Sequence, residues 1–221
     1  MSEEEILGEE DKKYIREKFQ KEMKDEVPIT LYVGGECQYC DVIKKLLETF
    51  EELADGKIKL TIKEIDDNAK NELKVDRGPV ILIGKKNEVR YTGAPLGEEG
   101  WAFIETIVIA SNGNHGIEHH LDEIKGLDKK YRIETVITPS CPYCPYAVLN
   151  ANRVAIASEG KIISDTVEAY EFPEIADKWH VTAVPTTVIS VEEPYSGDVF
   201  KVGVANEEEL IHAILGVGHE H

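Results

Sequence analysis

The sequence carries the same set of landmarks twice, and this repeat restricts the chain to folds that two similar halves can build. A C-x-x-C motif occurs at Cys37–Cys40 and again at Cys141–Cys144. A proline follows the first cysteine of each motif, after 42 residues at Pro79 and after 44 residues at Pro185. Landmarks that keep nearly constant offsets are hard to produce by chance, so the sequence predicts a duplicated domain.

The length of the chain agrees with this duplication. The 221 residues suit two domains of about 100 residues each. The stretch 111–116, which contains Asn and Gly residues, marks a junction between the copies. We therefore expect an N-terminal unit over residues 1–114, which contains C-Q-Y-C, and a C-terminal unit over residues 115–221, which contains C-P-Y-C.

Both copies show the same order of predicted elements. The β-branched runs 29–33 and 133–138 predict a strand directly before each cysteine motif, and apolar residues at every third or fourth position predict a helix directly after it. Amphipathic helices are also expected at 9–24 and 119–130. The remaining predicted strands are 57–62, 80–83, 89–92, 166–170, 186–190 and 199–202, and the remaining predicted helices are 101–110 and 210–215.

Composition excludes several classes of function. The formal net charge is −18, which argues against nucleic acid or an anionic membrane as a partner, because both attract basic surfaces. Hydrophobic residues make up 42% of the chain, enough for a packed core. The acidic N-terminus does not resemble a secretory signal, and no apolar run approaches the ~18 residues of a membrane span. We expect a cytoplasmic protein, in which paired cysteines are usually catalytic or metal-binding.

The position of each cysteine pair, between a strand and the first turn of a helix, favours redox chemistry. Unpaired backbone N–H groups and the helix dipole stabilise negative charge there, so the pKa of the first thiol falls. We therefore predict that Cys37 and Cys141 attack, whereas Cys40 and Cys144 resolve the mixed disulfide. No bound organic cofactor is needed, since the cysteines themselves carry the electrons.

The two pairs are not equivalent. Pro142 and Pro145 bracket the second pair and fix backbone angles at the start of its helix. The first pair contains Gln38 and is followed by Asp41, whose carboxylate disfavours a nearby thiolate. We expect the C-terminal pair to be the stronger oxidant and to act on external substrates. The N-terminal pair would then exchange electrons with it or with a reductase.

Two other interpretations of the four cysteines stay open at this point. Zinc ribbons commonly separate two C-x-x-C pairs by about 15–20 residues. Here Cys40 and Cys141 are 101 residues apart, and each pair has its own strand and helix, so we expect no metal. The second alternative is a redox-inert binding or chaperone module that retains its cysteines.

The motifs resemble a known family. A strand, C-x-x-C, a helix, a strand and a proline about 40 residues later resemble the thioredoxin fold. Two such units with C-Q-Y-C and C-P-Y-C resemble the glutaredoxin-like protein disulfide oxidoreductases of hyperthermophiles, which are compared with protein disulfide isomerase. The resemblance implies an α/β fold of two tandem thioredoxin-like units, each a central mixed β-sheet flanked by helices.

The same resemblance implies a function. It indicates a monomeric enzyme that oxidises, reduces or isomerises protein disulfides and receives electrons from a thioredoxin-reductase-like flavoprotein. It also implies that Pro79 and Pro185 follow cis peptide bonds and face the cysteines. Gly78 and Val184 would then help to bind the substrate backbone.

One feature departs from the family pattern. Thioredoxin carries a buried Asp on the strand before its cysteines, where this chain has Leu31 and Thr135. Glu64 and Glu168 occupy matching places on the neighbouring strand of each copy. If buried, either carboxyl would have a raised pKa and could take the proton of the resolving cysteine. The alternative is that both are solvent-facing strand carboxylates.

Overall fold

The computed structural model describes residues 6–192 and 196–217. The strands are β1 (Val27–Val33), β2 (Ile58–Glu64), β3 (Val80–Ile83), β4 (Val89–Thr92), β5 (Tyr131–Ile137), β6 (Ile162–Glu168), β7 (Thr186–Val191) and β8 (Ser196–Val202). The α-helices are α1 (Glu9–Glu22), α2 (Cys40–Leu53), α3 (Asp67–Leu73), α4 (Gly100–Asn112), α5 (Leu121–Lys125), α6 (Cys144–Ala157), α7 (Pro173–Lys178) and α8 (Glu207–Val217). Short 3₁₀ turns cover Gly97–Glu99 and Glu118–His120.

The strands of the described chain form one mixed sheet in the order β2-β1-β3-β4-β6-β5-β7-β8. In the first half β1 is parallel to β2 and antiparallel to β3, which is antiparallel to β4. The second half repeats this arrangement with β5 to β8. The predicted α/β fold with a mixed sheet in each unit is confirmed. A parallel pairing of β4 with β6 joins the halves into one sheet, which the sequence did not predict.

The direction of the strands brings both cysteine pairs to one side of the molecule. Two antiparallel steps make β4 parallel to β1, and two parallel steps then make β6 and β5 parallel to β4. The carboxyl ends of β1 and β5 therefore lie at the same edge of the sheet. Each cysteine motif follows one of these ends.

Helices cover both faces of the sheet. The larger core cluster contains side chains from α1, α2, α4, α6 and α8, together with one face of the strands, as at Leu31 and Ile81. The neighbouring residues Tyr32 and Val80 point to the other face, where a smaller cluster contains side chains of α3 and α7. This alternation along the strands is the expected consequence of the pleat. Both helices that begin at a cysteine, α2 and α6, lie on the first face.

Some predicted elements differ from the structure. The strand predicted at 166–170 is β6, which begins four residues earlier, and the helix predicted at 119–130 is a short turn followed by the five residues of α5. The sequence did not predict α3 or α7. Both are short, with seven and six residues, so each shows too little periodicity to stand out.

None of the helices in residues 6–192 and 196–217 is long and apolar enough to cross a membrane.

Candidate active site

The first cysteine pair lies between β1 and α2. Cys37 and Cys40 form a disulfide with a Cα–Cα distance of 5.6 Å. Cys40 is buried as the first residue of α2, whereas Cys37 is half-buried. This arrangement exposes the predicted nucleophile more than its partner. The sulfur atom of Cys37, the first cysteine of the motif, is thus the one that a substrate can approach.

The second pair has the same place between β5 and α6. Cys141 and Cys144 form a disulfide with a Cα–Cα distance of 5.4 Å. Cys144 is fully buried, and its backbone N–H donates a hydrogen bond of 3.1 Å to the Sγ atom of Cys141. No side chain caps the start of α6. The helix N-terminus is therefore directed at the first sulfur, where it stabilises a thiolate.

The disulfides bear on the zinc alternative. All four cysteines are paired within their own motif, so their sulfurs are not thiolate ligands in this structure. Within the part of the chain that the structure describes, no three His, Cys, Asp or Glu side chains are grouped as a metal site would require. Each cysteine pair is thus bonded within its own motif, as two separate redox centres require.

Both prolines at the repeat positions follow cis peptide bonds. The Gly78–Pro79 and Val184–Pro185 bonds are cis, as the resemblance implied. The carbonyl oxygen of Pro79 accepts a hydrogen bond of 3.0 Å from the N–H of Gly93, and that of Pro185 accepts one of 2.8 Å from Gly203. Each proline loop is therefore held by the end of the neighbouring strand.

Gly78 lies against the first disulfide. A Cβ atom added at this position would lie 3.0 Å from the Sγ atom of Cys40 and 2.5 Å from the carbonyl oxygen of Tyr32. The backbone N–H of Gly78 donates to the carbonyl oxygen of Gly34 at 2.9 Å. The proline loop and the cysteine motif thus touch, and the absence of a side chain at Gly78 allows it.

The two glutamates predicted as proton acceptors have different environments. Glu64 is exposed at the end of β2, and one of its carboxylate oxygens lies close to Gly34, on the segment that leads to the first pair. Glu168 is buried at the end of β6. Its carboxylate accepts hydrogen bonds from the backbone N–H groups of Tyr170 (3.1 Å) and Glu171 (2.7 Å). Glu168 therefore stabilises the turn after β6, and the proton-acceptor role of either residue stays a prediction.

A third glutamate, which the sequence analysis missed, is buried near the C-terminal pair. Glu99 ends the 3₁₀ turn before α4, is 0% exposed, and neither of its carboxyl oxygens has a hydrogen-bond partner. Burial raises the pKa of this carboxyl to about 8. In the sequence Glu99 follows Glu98 in a glycine-flanked turn, which is typical of a solvated helix start. Only the packing of α4 against the other half reveals its burial.

Comparison with known proteins places these features in a family. A family profile for the thioredoxin domain matches residues 131–215. The crystal structure of a protein disulfide oxidoreductase from Aeropyrum pernix k1 is 33% identical in sequence and matches with a TM-score of 0.82, over 95% of this chain and 92% of that chain. The chain belongs to the protein disulfide oxidoreductase family.

Other relatives of this chain differ in length. The thioredoxin of Methanocaldococcus jannaschii is 33% identical over 85 residues, which are 38% of this chain and 93% of that thioredoxin. The NADH dehydrogenase of Ferdinandcohnia aciditolerans is 26% identical over 182 residues, and a component of the alkyl hydroperoxide reductase of Pseudomonas aeruginosa is 25% identical over 185 residues. These matches cover 80% and 79% of this chain, but the chain spans only 32% of either relative.

The surfaces around the two cysteine pairs differ. The C-terminal pair lies among exposed aromatic rings, with Tyr143 67% exposed and Tyr146 55% exposed. Trp101, from the first half of the chain, is also exposed and packs edge-on against Tyr146 with a centroid distance of 5.3 Å. By contrast, the exposed neighbours of the N-terminal pair in sequence are polar, and Glu36 and Asp41 are acidic.

Contacts of Arg77 link the N-terminal proline loop to the second half of the chain. Arg77, which precedes Gly78, donates to the carbonyl oxygen of Glu171 at 2.7 Å and to the carboxylate of Glu174 at 2.9 Å. Its guanidinium also lies 4.5 Å from the ring centroid of Phe172. Burial raises the pKa of the Glu171 carboxyl to about 7. The hydrogen bond from the N–H of Ala94 acts against this shift, and the charge of Glu168 adds to it. The two halves thus share contacts beside the first active site.

Proposed function

We propose that this protein exchanges dithiols and disulfides with protein substrates through two active sites. The observation that carries the proposal is the geometry of each pair, which lies at a helix N-terminus with a cis-proline loop in the same unit. Cys37 and Cys141 attack a substrate disulfide, and Cys40 and Cys144 resolve the mixed disulfide. Oxidation, reduction and isomerisation are three directions of the same exchange.

The proline loops provide a place for the substrate backbone. Gly78 and Val184 precede the cis prolines, just before the first residues of β3 and β7. Contact between Gly78 and the first pair supports this role for the N-terminal site. An extended substrate segment bound there would hold its cysteine beside Cys37 or, at Val184 and Pro185, beside Cys141.

The surfaces support a division of labour between the sites. Exposed Tyr143, Tyr146 and Trp101 suit apolar segments, which unfolded protein substrates expose. Asp41 places a carboxylate in the first turn of α2, at the position that Pro145 occupies in α6. The thiolate of Cys37 is therefore less stabilised than that of Cys141. The C-terminal site is therefore the stronger oxidant and the substrate-facing site. The N-terminal site exchanges electrons with it or with a reductase.

Electrons reach the protein from a separate reductase. The relatives that are an NADH dehydrogenase and a component of alkyl hydroperoxide reductase contain a region like this chain within a polypeptide about three times as long. The protein itself carries its electrons on cysteine sulfur. A thioredoxin-reductase-like flavoprotein that oxidises a nicotinamide cofactor is the matching donor.

Two assays test the proposed function together. Insulin-disulfide reduction and refolding of a scrambled disulfide protein are measured for the wild type and for Cys37→Ser, Cys141→Ser and the double variant. We expect activity in the wild type, a larger loss for Cys141→Ser than for Cys37→Ser, and none in the double variant. Absence of activity in the wild type in both assays would contradict the proposal.

The division of labour has its own test. Redox titrations of Cys37→Ser/Cys40→Ser and of Cys141→Ser/Cys144→Ser report the potential of the one pair that each variant retains. We expect the C-terminal pair to have the higher, more oxidising potential. Equal potentials would remove the proposed direction of electron flow while leaving the exchange activity intact.

A further inference from the structure

The segment that carries the N-terminal cis proline has no regular structure of its own. Residues 74–79 connect α3 to β3 without a helix or a strand, and Arg77, Gly78 and Pro79 end this segment. Gly78 lies against the first disulfide, so a shift of the segment would alter the surroundings of the cysteine pair. The contacts that hold Arg77 in place therefore help to shape the N-terminal site.

The side chain of Arg77 reaches the second half of the chain. Its guanidinium donates to the carbonyl oxygen of Glu171 at 2.7 Å and to the carboxylate of Glu174 at 2.9 Å. It also lies over the ring of Phe172, and only 22% of the side chain is exposed. Because the planar guanidinium engages three different groups at once, its geometry is more restricted than in a single surface ion pair.

The backbone of Arg77 packs against the approach to the first cysteine pair. A Cβ atom added at Gly35, two residues before Cys37, would lie 2.7 Å from the Cβ atom of Arg77. The hydrogen bond from the N–H of Gly78 to the carbonyl oxygen of Gly34 holds the same two segments together. Arg77 therefore lies between the second half of the chain and the segment that leads to the cysteines, in contact with both.

The second half also holds the other side of the proline loop, through residues 168–174 at the end of β6 and the start of α7. The carbonyl oxygen of Pro79 accepts a hydrogen bond from Gly93, and a Cβ atom added at Gly93 would lie 2.6 Å from the Cβ atom of Glu168. Segment 168–174 thus fixes the loop through Arg77 before the proline and through the end of β4 after it.

The C-terminal proline loop is held in a different way. The residue that matches Arg77 in the second copy is Ala183, which lies two residues before Pro185 and is exposed. The carbonyl oxygen of Ala183 accepts a hydrogen bond of 2.7 Å from the hydroxyl of Thr186. This hydrogen bond stays within the loop, whereas the contacts of Arg77 join the N-terminal loop to the other half of the chain.

From these contacts we infer that Arg77 is a positioning residue of the N-terminal active site. Through segment 168–174 it holds the proline loop where a substrate backbone binds beside Cys37. The inference rests on the proposed function and deepens it, because it assigns part of the N-terminal site to the other half of the chain. Arg77 acts on the binding of the polypeptide around the reacting sulfur, so it matters for a protein substrate and not for a small disulfide.

The test compares a protein substrate with a small one at the N-terminal site alone. The parent is Cys141→Ser/Cys144→Ser protein, which keeps only the first pair. Insulin reduction, with dithiothreitol as the electron source, gives kcat/KM for a substrate that uses the proline loop. Attack of the reduced pair on dithionitrobenzoate, followed by the first release of thionitrobenzoate over a range of pH, gives the reactivity of Cys37 without a bound polypeptide.

We expect Arg77→Ala to lower kcat/KM for insulin by roughly tenfold, because even a small misplacement of the loop weakens the alignment of the reacting atoms. The rate of the first release from dithionitrobenzoate and its pH dependence should change little. Arg77→Lys keeps the charge but cannot hold three groups at once, so its kcat/KM for insulin should lie between those of the parent and Arg77→Ala.

A substitution in the second half tests the same contact without altering the loop. Glu174→Gln removes the carboxylate but leaves the carbonyl contact, so we expect about a twofold decrease in kcat/KM for insulin. Asp177→Asn, an exposed change on the same helix, is the matched control and should have no effect. Arg153→Ala is the control for Arg77→Ala, since it removes another arginine that is paired with a carboxylate, that of Glu207.

The C-terminal site separates positioning from a general loss of stability. In Cys37→Ser/Cys40→Ser protein, Arg77→Ala should leave insulin reduction unchanged, and an equal decrease at both sites would overturn the inference. Parent kinetics with insulin in Arg77→Ala would also overturn it, as would an equal decrease with insulin and dithionitrobenzoate. If Arg77→Ala prevents folding, Arg77→Lys and Glu174→Gln decide the same question. A parent protein that does not reduce insulin would instead contradict the proposed function.

Discussion

At the scale of single residues, the burial of Glu99 couples the stability of the protein to pH. The pKa of its carboxyl is about 8 in the folded protein, well above its ordinary value of 4.5. Between these values the folded protein keeps a proton that the unfolded chain releases. Stability from this group is therefore complete below the ordinary pKa and is lost as the pH rises towards about 8, by roughly 1.4 kcal/mol per pH unit.

Replacing Glu99 should remove this coupling. We expect Glu99→Leu to raise the melting temperature at pH 8, because it removes a buried group without hydrogen-bond partners, and to flatten the dependence of the free energy of unfolding on pH between about 5 and 8. Thermal and urea unfolding of the oxidised protein measure both effects. Glu98→Leu is the control, and an unchanged pH dependence in Glu99→Leu would contradict the assigned burial.

Asp41 allows a prediction about the reactivity of the first pair. Its carboxylate is exposed in the first turn of α2, close to where the thiolate forms. Asp41→Asn should lower the pKa of the Cys37 thiol, because it removes a like charge. The pH dependence of alkylation in the Cys141→Ser/Cys144→Ser background reports this pKa. Glu48→Gln, an exposed change on the same helix, should leave it unaltered.

At the scale of the elements, the close approach of the proline loop to the first disulfide predicts the effect of one added methyl group. Gly78→Ala would place its Cβ against the Sγ atom of Cys40 and the carbonyl oxygen of Tyr32. We expect lower stability, by about 1–3 kcal/mol, and slower exchange at the N-terminal site. Urea unfolding and insulin reduction in the Cys141→Ser/Cys144→Ser background measure these changes.

The matched change for this prediction is Gly216→Ala, since a Cβ atom there meets nothing within 4 Å. It should leave exchange unaltered and, because alanine favours a helix more than glycine does, raise stability by up to about 1 kcal/mol. If Gly78→Ala behaved in the same way, the contact between the proline loop and the cysteine motif would not be a constraint on the site.

The sequence predicted those elements whose signal is local. The strands before the cysteines are runs of β-branched residues, and α2 and α6 show clear apolar periodicity, so the placement of both pairs followed from pattern alone. The beginning of β6 did not, because Ser164 and Asp165 are polar yet buried. Their partners lie on other elements: Ser164 donates to Asn152 of α6, and Asp165 accepts from Thr92 of β4, which is 73 residues away in sequence. Glu99 was missed for the same reason, since its burial depends on the other half of the chain.

At the scale of the whole molecule, buried charges fasten the two halves of the sheet. Asp165 of β6 lies 3.2 Å from Arg90 of β4 and 3.0 Å from Arg132 of β5, and it accepts a hydrogen bond of 2.8 Å from Thr92. Arg90 and Asp165 are both buried. The two strands that join the halves, β4 and β6, therefore share one charged network. We expect these two strands to unfold together.

Breaking this network should be costly. We expect Asp165→Asn to lower the free energy of unfolding by about 3–5 kcal/mol, because it leaves two arginine charges with less compensation inside the protein. Asp198→Asn, on the exposed surface of β8, is the matched control. Urea unfolding measures both, and a loss below about 1 kcal/mol for Asp165→Asn would show that the network contributes little.

The continuous sheet also bears on the two units proposed at 1–114 and 115–221. Each half would present an unpaired strand, β4 or β6, if it were separated from the other. We expect the two fragments to associate when mixed, because association restores the pairing of β4 with β6, and size-exclusion chromatography of the mixture measures the complex.

The central claim is that two cysteine pairs act as separate active sites in which the first cysteine attacks. The most direct test is to trap the mixed disulfide with a protein substrate in Cys40→Ser and Cys144→Ser, which lack a resolving cysteine, and to identify the joined residues by mass spectrometry. The account predicts adducts through Cys37 and Cys141, with more through Cys141. The complementary variants, Cys37→Ser and Cys141→Ser, lack the attacking cysteine. Substrate attached through Cys40 or Cys144 in these variants, or no adduct in any of the four variants, would contradict the account.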